Sequence, residues 1–98
     1  MLGGSRVRDV VVSAQPDETL LASVAVLRHL GARITRFDPE AGTLEARLRR
    51  FLRPALIRLR AEADGQATRL RVESDALAWA PMFRRFRGGL LHVVKEAS

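Results

Sequence analysis

Six arginines in the middle of this chain fall at alternating positions: Arg47 and Arg49, Arg58 and Arg60, Arg69 and Arg71. In an extended strand, residues two apart share a face, so the six stand on one side of three neighbouring segments. A row of guanidiniums can neutralise phosphates or make bidentate pairs with carboxylates. It can equally serve solubility alone. Glu45, Glu62 and Glu73 alternate in the same register. Paired carboxylates can do acid–base work, but interleaved arginines keep them ionised. They read as cross-strand partners of the arginines, each exposed pair worth about 0–1 kcal/mol.

Other chemistry is sparse. There is no cysteine and no tyrosine. His29 and His92 fall near the ends of different helical segments, and neither has the carboxylate or histidine partners that a metal site needs. The reading is therefore no catalytic residue, no metal and no cofactor. Trp79, Met82, Phe83 and Phe86 cluster where a C-terminal helix starts. They read first as core cover. The sharper alternative is a pocket between that helix and the sheet, which would have to be small, because a drug-sized ligand takes about 300 Å³ or more. Arg84, Arg85 and Arg87 beside them give a third option, a membrane-surface helix. It ranks low, since a lone sheet needs this helix as its cover.

The elements that must position these residues follow from periodicity. Arg6 to Ser13 is rich in β-branched residues and reads as a strand. Pro16 suits the first position of a helix, Asp17 and Glu18 face its positive end, and Gly31 stops it. Leu20, Leu21, Val24, Val26 and Leu27 form its apolar stripe. Arg33 to Phe37 is a short strand, followed by the turn Asp38-Pro39-Glu40-Ala41-Gly42. Thr43 to Phe51 alternates, with Leu44, Ala46 and Leu48 opposite Glu45, Arg47 and Arg49. After a break at Leu52-Arg53-Pro54, Ala55 to Ala63 sets Ile57, Leu59 and Ala61 against Arg58, Arg60 and Glu62. Asp64-Gly65-Gln66 is a hairpin turn, and Ala67 to Ser74 repeats the alternation with Leu70 and Val72. Asp75 to Ala80 connects to a second helix opening at Pro81, whose apolar face carries Met82, Phe83, Phe86, Leu90, Val93, Val94 and Ala97. Gly88-Gly89 in mid-helix costs about 1 kcal/mol per glycine relative to alanine, and close approach to the sheet is the expected compensation.

Length and composition set the bounds. Ninety-eight residues with 47% hydrophobic content suit one domain, residues 1–98, with a real core. The net charge is +6, from 17 Lys+Arg against 11 Asp+Glu, and Lys95 is the sole lysine. A positive balance favours nucleic acid, anionic lipid or an acidic partner. Apolar runs stay short of the roughly 20 residues that span a bilayer, and the N-terminus reads as the approach to a strand, not as a signal peptide. A cytoplasmic location is expected.

The resulting order is β-α-β-β-β-β-α: an α+β fold, an antiparallel sheet with two helices on one face. Alternation leaves the other face wet. This order resembles the TATA-binding-protein-like fold, also used in helix-grip domains. The run LRHLGARITRFDPEAGTLEARLRR is similar to small bacterial domains of that type, through Leu30-Gly31, Asp38 with Gly42, and Leu44-Glu45-Ala46; Asp64-Gly65 followed by Thr68-Arg69-Leu70-Arg71-Val72 is a second matching piece. The resemblance implies a fold and carries no function.

The expected function is non-enzymatic binding through the Arg/Glu face, to a protein partner or a second copy of the chain. Small-molecule binding between the C-terminal helix and the sheet is the rival. Nucleic acid ranks below a protein partner, because the face lacks the aromatics of RNA-binding sheets.

Overall fold

The computed structural model describes residues 6–50, 53–75 and 79–94. The elements are β1 (Arg6–Val12), α1 (Pro16–His29), β2 (Arg33–Asp38), β3 (Thr43–Arg50), β4 (Arg53–Asp64), β5 (Ala67–Ser74) and α2 (Trp79–Val93). The order is the β-α-β-β-β-β-α expected from periodicity. Every strand pairing is antiparallel, in the order β1-β5-β4-β3-β2. β2 to β5 form a meander, and β1 returns to pair with β5. That leaves β1 and β2 as the two edges.

Local chemistry accounts for the boundaries. Pro16 occupies the first helical position of α1, and Gln15 caps through its backbone only. The buried hydroxyls of Thr19 and Ser23 donate to the carbonyls of Gln15 (2.9 Å) and Thr19 (2.8 Å), so neither is left unsatisfied. α1 ends in a Schellman motif. The Ala32 amide donates to the Leu27 carbonyl, the Gly31 amide donates to that of Arg28, and Gly31 takes a φ of 93°. In the β2–β3 turn the Ala41 amide donates to the Asp38 carboxylate at 3.1 Å. Gly42, at φ 73°, lies so close to β4 that a Cβ there would stand 2.7 Å from the Ala61 carbonyl oxygen. Both glycines are positions where an L side chain is strained.

β4 starts at Arg53, two residues earlier than the alternation indicates, and its first residues overhang β5. Ile57 pairs with Ser74, the last residue of β5, whereas Pro54 pairs only with Arg49 of β3. One flank of Pro54 thus lacks a strand, which is where a residue without an N–H is tolerated. Asp75 closes the gap by accepting the Leu56 amide at 2.8 Å. The expected end of β3 at Phe51 and the break at Leu52 lie outside the described residues.

Leu20, Leu27, Leu44, Leu48, Ile57, Leu59, Leu70, Val72, Phe86 and Leu90 are buried in one core with Val10, Val12 and Met82. Each fully buried aliphatic or Phe side chain contributes about 1.5–3 kcal/mol. Both helices lie on the inward face of the sheet: Leu27 of α1 and Met82 and Phe86 of α2 meet Ile57 and Val72 there. Val24 is only half-buried.

α2 differs from expectation in three ways. It begins at Trp79, so Pro81 sits third, still within the first turn, where amides have no intrahelical acceptor. Val93 falls off its apolar stripe, 60% exposed, whereas Val94 still packs against the core; Ala97 lies outside the described residues. The third difference is the reason for Gly89. The close approach is to α1, not to the sheet: a Cβ at Gly89 would stand 2.9 Å from Val26 Cγ1. Gly88 has open space beside it.

Candidate functional site

Register turns the alternating arginines into rows. On the outward face, Val11, Arg69 and Glu62 form one row across β1, β5 and β4. Asp9, Arg71, Arg60, Thr43 and Asp38 form the next, running to β2. Val7, Glu73, Arg58, Glu45 and Arg36 form the third. Leu56, Arg47 and Arg33 form the fourth, and Pro54 with Arg49 ends the face. Arg47, Arg49, Arg58, Arg60, Arg69 and Arg71 are all exposed, so the structure brings the six sequence-derived residues onto one surface. Glu45 and Glu73 flank Arg58 directly, and Glu62 faces Arg69.

Three residues that the sequence reading left out complete the face. Asp9 of β1 enters the arginine rows because β1 pairs with β5. Its only signal was a place in a β-branched strand two residues from Val11; what the sequence did not show was the neighbouring strand. Asp9 serves two arginines, its carboxylate lying 3.7 Å from Arg69 and 3.5 Å from Arg71. Arg69 also stands 3.6 Å from Asp64. Arg33 and Arg36 of β2 are the other additions, opposite Arg47 and Glu45.

The face is therefore asymmetric in charge. On the β1–β5 side, Arg69 and Arg71 are balanced by Asp9 and Glu73. On the β2–β4 side, among the described residues, the six arginines Arg33, Arg36, Arg47, Arg49, Arg58 and Arg60 stand against four acids, Asp38, Glu45, Glu62 and Asp64, and Arg69 of β5 draws on Asp64 as well. Within these outward rows, two pairings set like charges directly opposite, Arg33 with Arg47 and Arg60 with Arg71. Such pairs are destabilising by about 0.2–1 kcal/mol each. The ion pairs around Asp9 return about as much.

The suggested pocket residues fall elsewhere. Met82 and Phe86 are buried in the core, and Phe83 is half-buried. Trp79 opens α2, and its side chain lies outside the described residues. The void that Met82 and Phe86 line with Leu27, Leu30, Ile57 and Val72 is about 10 Å³, at or below the space for a single water. A larger groove, about 170 Å³, opens beside it between Leu30, Gly31, Leu48, Arg49, Met82 and Arg85. His29 and His92 are exposed and belong to different helices. Among the described residues, no cluster of three or more His, Asp or Glu could hold a metal ion. No described helix is long and apolar enough to cross a membrane.

No protein-family model and no curated protein matches the chain. Solved structures do. The fold is similar to Ara h 8.0201, with a TM-score of 0.60 over 91% of this chain and 96% of that one, at 10% identity. It is similar to CalU16 from Micromonospora echinospora, with a TM-score of 0.56 over 90% and 84%, at 14% identity. These likenesses give the architecture, a helix-grip type of α+β fold. At such identities they give nothing further.

Proposed function

We propose that this chain is a non-enzymatic binding domain whose open sheet face docks an acidic protein surface. The observation that carries this reading is the arginine excess on the β2–β4 side of the face. Charge that is not internally balanced is free to attract and orient a partner of opposite sign. Arginine also suits an interface by its planar, bidentate geometry. A second copy of the chain is a poorer occupant, because face-to-face pairing would set arginines against arginines. Nucleic acid is poorer too. Among the described residues the outward rows hold no aromatic on which a base could stack. The rival pocket under α2 finds little support, given a void of about 10 Å³ between helix and sheet. The proposal places the domain in the cytoplasm, with the small bacterial domains of TATA-binding-protein-like topology as its finer kin.

The test is a titration of the labelled domain with a glutamate-rich peptide, followed by amide chemical shifts. Salt-sensitive binding that maps to Arg47, Arg58 and Arg60 is expected. Tight duplex DNA binding at physiological salt, with no response to the peptide, would overturn the reading in favour of nucleic acid.

A further inference from the structure

β1 stands at the end of the sheet order, so one of its flanks meets no strand among the described residues. Its ladder with β5 runs unbroken from Arg6 opposite Ser74 to Val12 opposite Thr68. The other sheet edge differs. The register of β2 on β3 shifts between Ile34 and Arg36, and an irregularity of that kind bends and blunts an edge. β1 is therefore the regular edge. Backbone groups alternate along an antiparallel strand, so every second residue of β1 turns its N–H and C=O away from β5. Among the described residues, no backbone hydrogen bond from a turn, loop or cap reaches β1.

The side chains beside this edge set its chemistry. Arg6 and Arg8 share the parity of Val10 and Val12, which are buried on the helix side of the sheet. Both arginines are nevertheless exposed, so the helical cover does not reach them. Among the described residues, no carboxylate lies within ion-pairing distance of either guanidinium. On the outward side Val7 is 51% exposed, and Asp9 is engaged by Arg69 and Arg71. The edge thus offers two cations on one side and an apolar side chain between them on the other.

We infer that the outer edge of β1 takes up an acidic, extended segment of a partner protein as an added strand. Backbone hydrogen bonds supply the attachment, and alternate side chains supply the choice. Carboxylates at every second position of the incoming strand face Arg6 and Arg8, and an aliphatic residue between them covers Val7. A second copy pairing antiparallel through the same edge is a poorer occupant. On the helix side it would bring its own Arg6, Arg8, Val10 and Val12, and no carboxylate. The inference stands apart from the reading of the arginine face, because Arg6 and Arg8 point to the other side of the sheet.

The experiment titrates the labelled chain with a capped heptapeptide that alternates glutamate and valine. A second peptide carries the same residues in two blocks. Amide shifts are read along the whole chain. The alternating peptide should perturb Arg6 to Val11 saturably, and the blocked one should bind there about tenfold more weakly, since it cannot put its carboxylates on one side of a strand. Two further peptides are N-methylated, one at the valines and one at the glutamates. Only one phase of amides faces β1, so one of the two should lose binding and the other keep it. Arg6→Gln with Arg8→Gln should weaken binding about tenfold, the loss of two exposed ion pairs. Arg84→Gln with Arg85→Gln, the same charge change on exposed residues of α2, should leave it as it was. Shifts confined to Arg47, Arg58 and Arg60 would uphold the arginine face and overturn the edge. So would equal binding of the alternating and blocked peptides, like behaviour of the two methylated ones, or an Arg6 and Arg8 double variant that binds as before. Shifts in β1 that depend on protein concentration without peptide would overturn it in favour of a second copy.

Discussion

Gly89 of α2 rests against Val26 of α1, with room for a hydrogen and not for a methyl: a Cβ at position 89 would sit 2.9 Å from Val26 Cγ1. This contact joins the two helices that cover the sheet. Val26 cannot give way easily, because a β-branched side chain in a helix has essentially one rotamer. Gly89→Ala should therefore lose more by overpacking, about 1–3 kcal/mol, than it gains in helix propensity, about 1 kcal/mol. Its neighbour Gly88 has open space beside it, so Gly88→Ala should gain the propensity alone. Thermal unfolding of the two variants should move in opposite directions from the parent, by a few degrees each.

The core prediction concerns Leu59, which is 2% exposed and central in β4. Leu59→Ala should cost about 2–5 kcal/mol in a denaturant titration. A loss below about half a kcal/mol would mean that the strand presents its other face.

Two turn glycines separate conformation from crowding. Gly65→Ala meets only the strain of a positive φ, about 1–2 kcal/mol, because nothing lies within 4 Å. Gly42→Ala meets the same strain and also the Ala61 carbonyl oxygen at 2.7 Å. Urea midpoints should place Gly42→Ala clearly below Gly65→Ala.

The charge asymmetry of the face is measurable with duplex DNA as a generic polyanion at low salt. Binding should be weak and gone near physiological salt, with log affinity falling by about 0.9 per phosphate engaged. Arg47→Gln with Arg60→Gln should flatten that slope more than Arg69→Gln with Arg71→Gln, since Asp9 already holds the second pair. Asp9→Asn should strengthen low-salt binding by releasing both. Equal slopes in the two double variants would show that the halves of the face are equivalent.

Self-association, if present at high concentration, should run through the edges β1 and β2 and not through the arginine rows. Edge pairing uses backbone groups and survives salt. Repulsion between like faces is screened by salt. Sedimentation at low and high ionic strength should show a dimer fraction that is constant or rising with salt. A fraction that falls steeply with salt would point to contact through charged side chains.

Much of this was legible from residue order. Leu44, Leu48, Ile57, Leu59, Leu70 and Val72 alternate with charge, and pleating leaves them only one way to face. What stayed hidden depends on neighbours distant in sequence. Asp9 joins the arginine rows only because β1 lies beside β5. Arg33 and Arg36 join the face only through the register of β2 on β3, which a short strand with a bulge does not reveal in sequence. Gly89 gave a local signal, a poor helix former in a helix, but the Val26 side chain that explains it lies on another element.

The pairing of Arg6 with Ser74 at one end of the β1–β5 ladder also sets an order of events. Hairpins β2–β3, β3–β4 and β4–β5 each close a short loop, whereas β1 must wait for a strand that lies most of the chain away. Loop closure of that length is slow, so β1 is expected to be the last strand to dock. On a ribosome, Val10 and Val12 stay exposed until β5 has emerged, and the neighbouring charges of Arg6, Arg8 and Asp9 then keep that waiting segment from pairing with other chains. Transition-state mapping should give low φ-values at Val10 and Val12, and higher ones at Leu59 and Leu70.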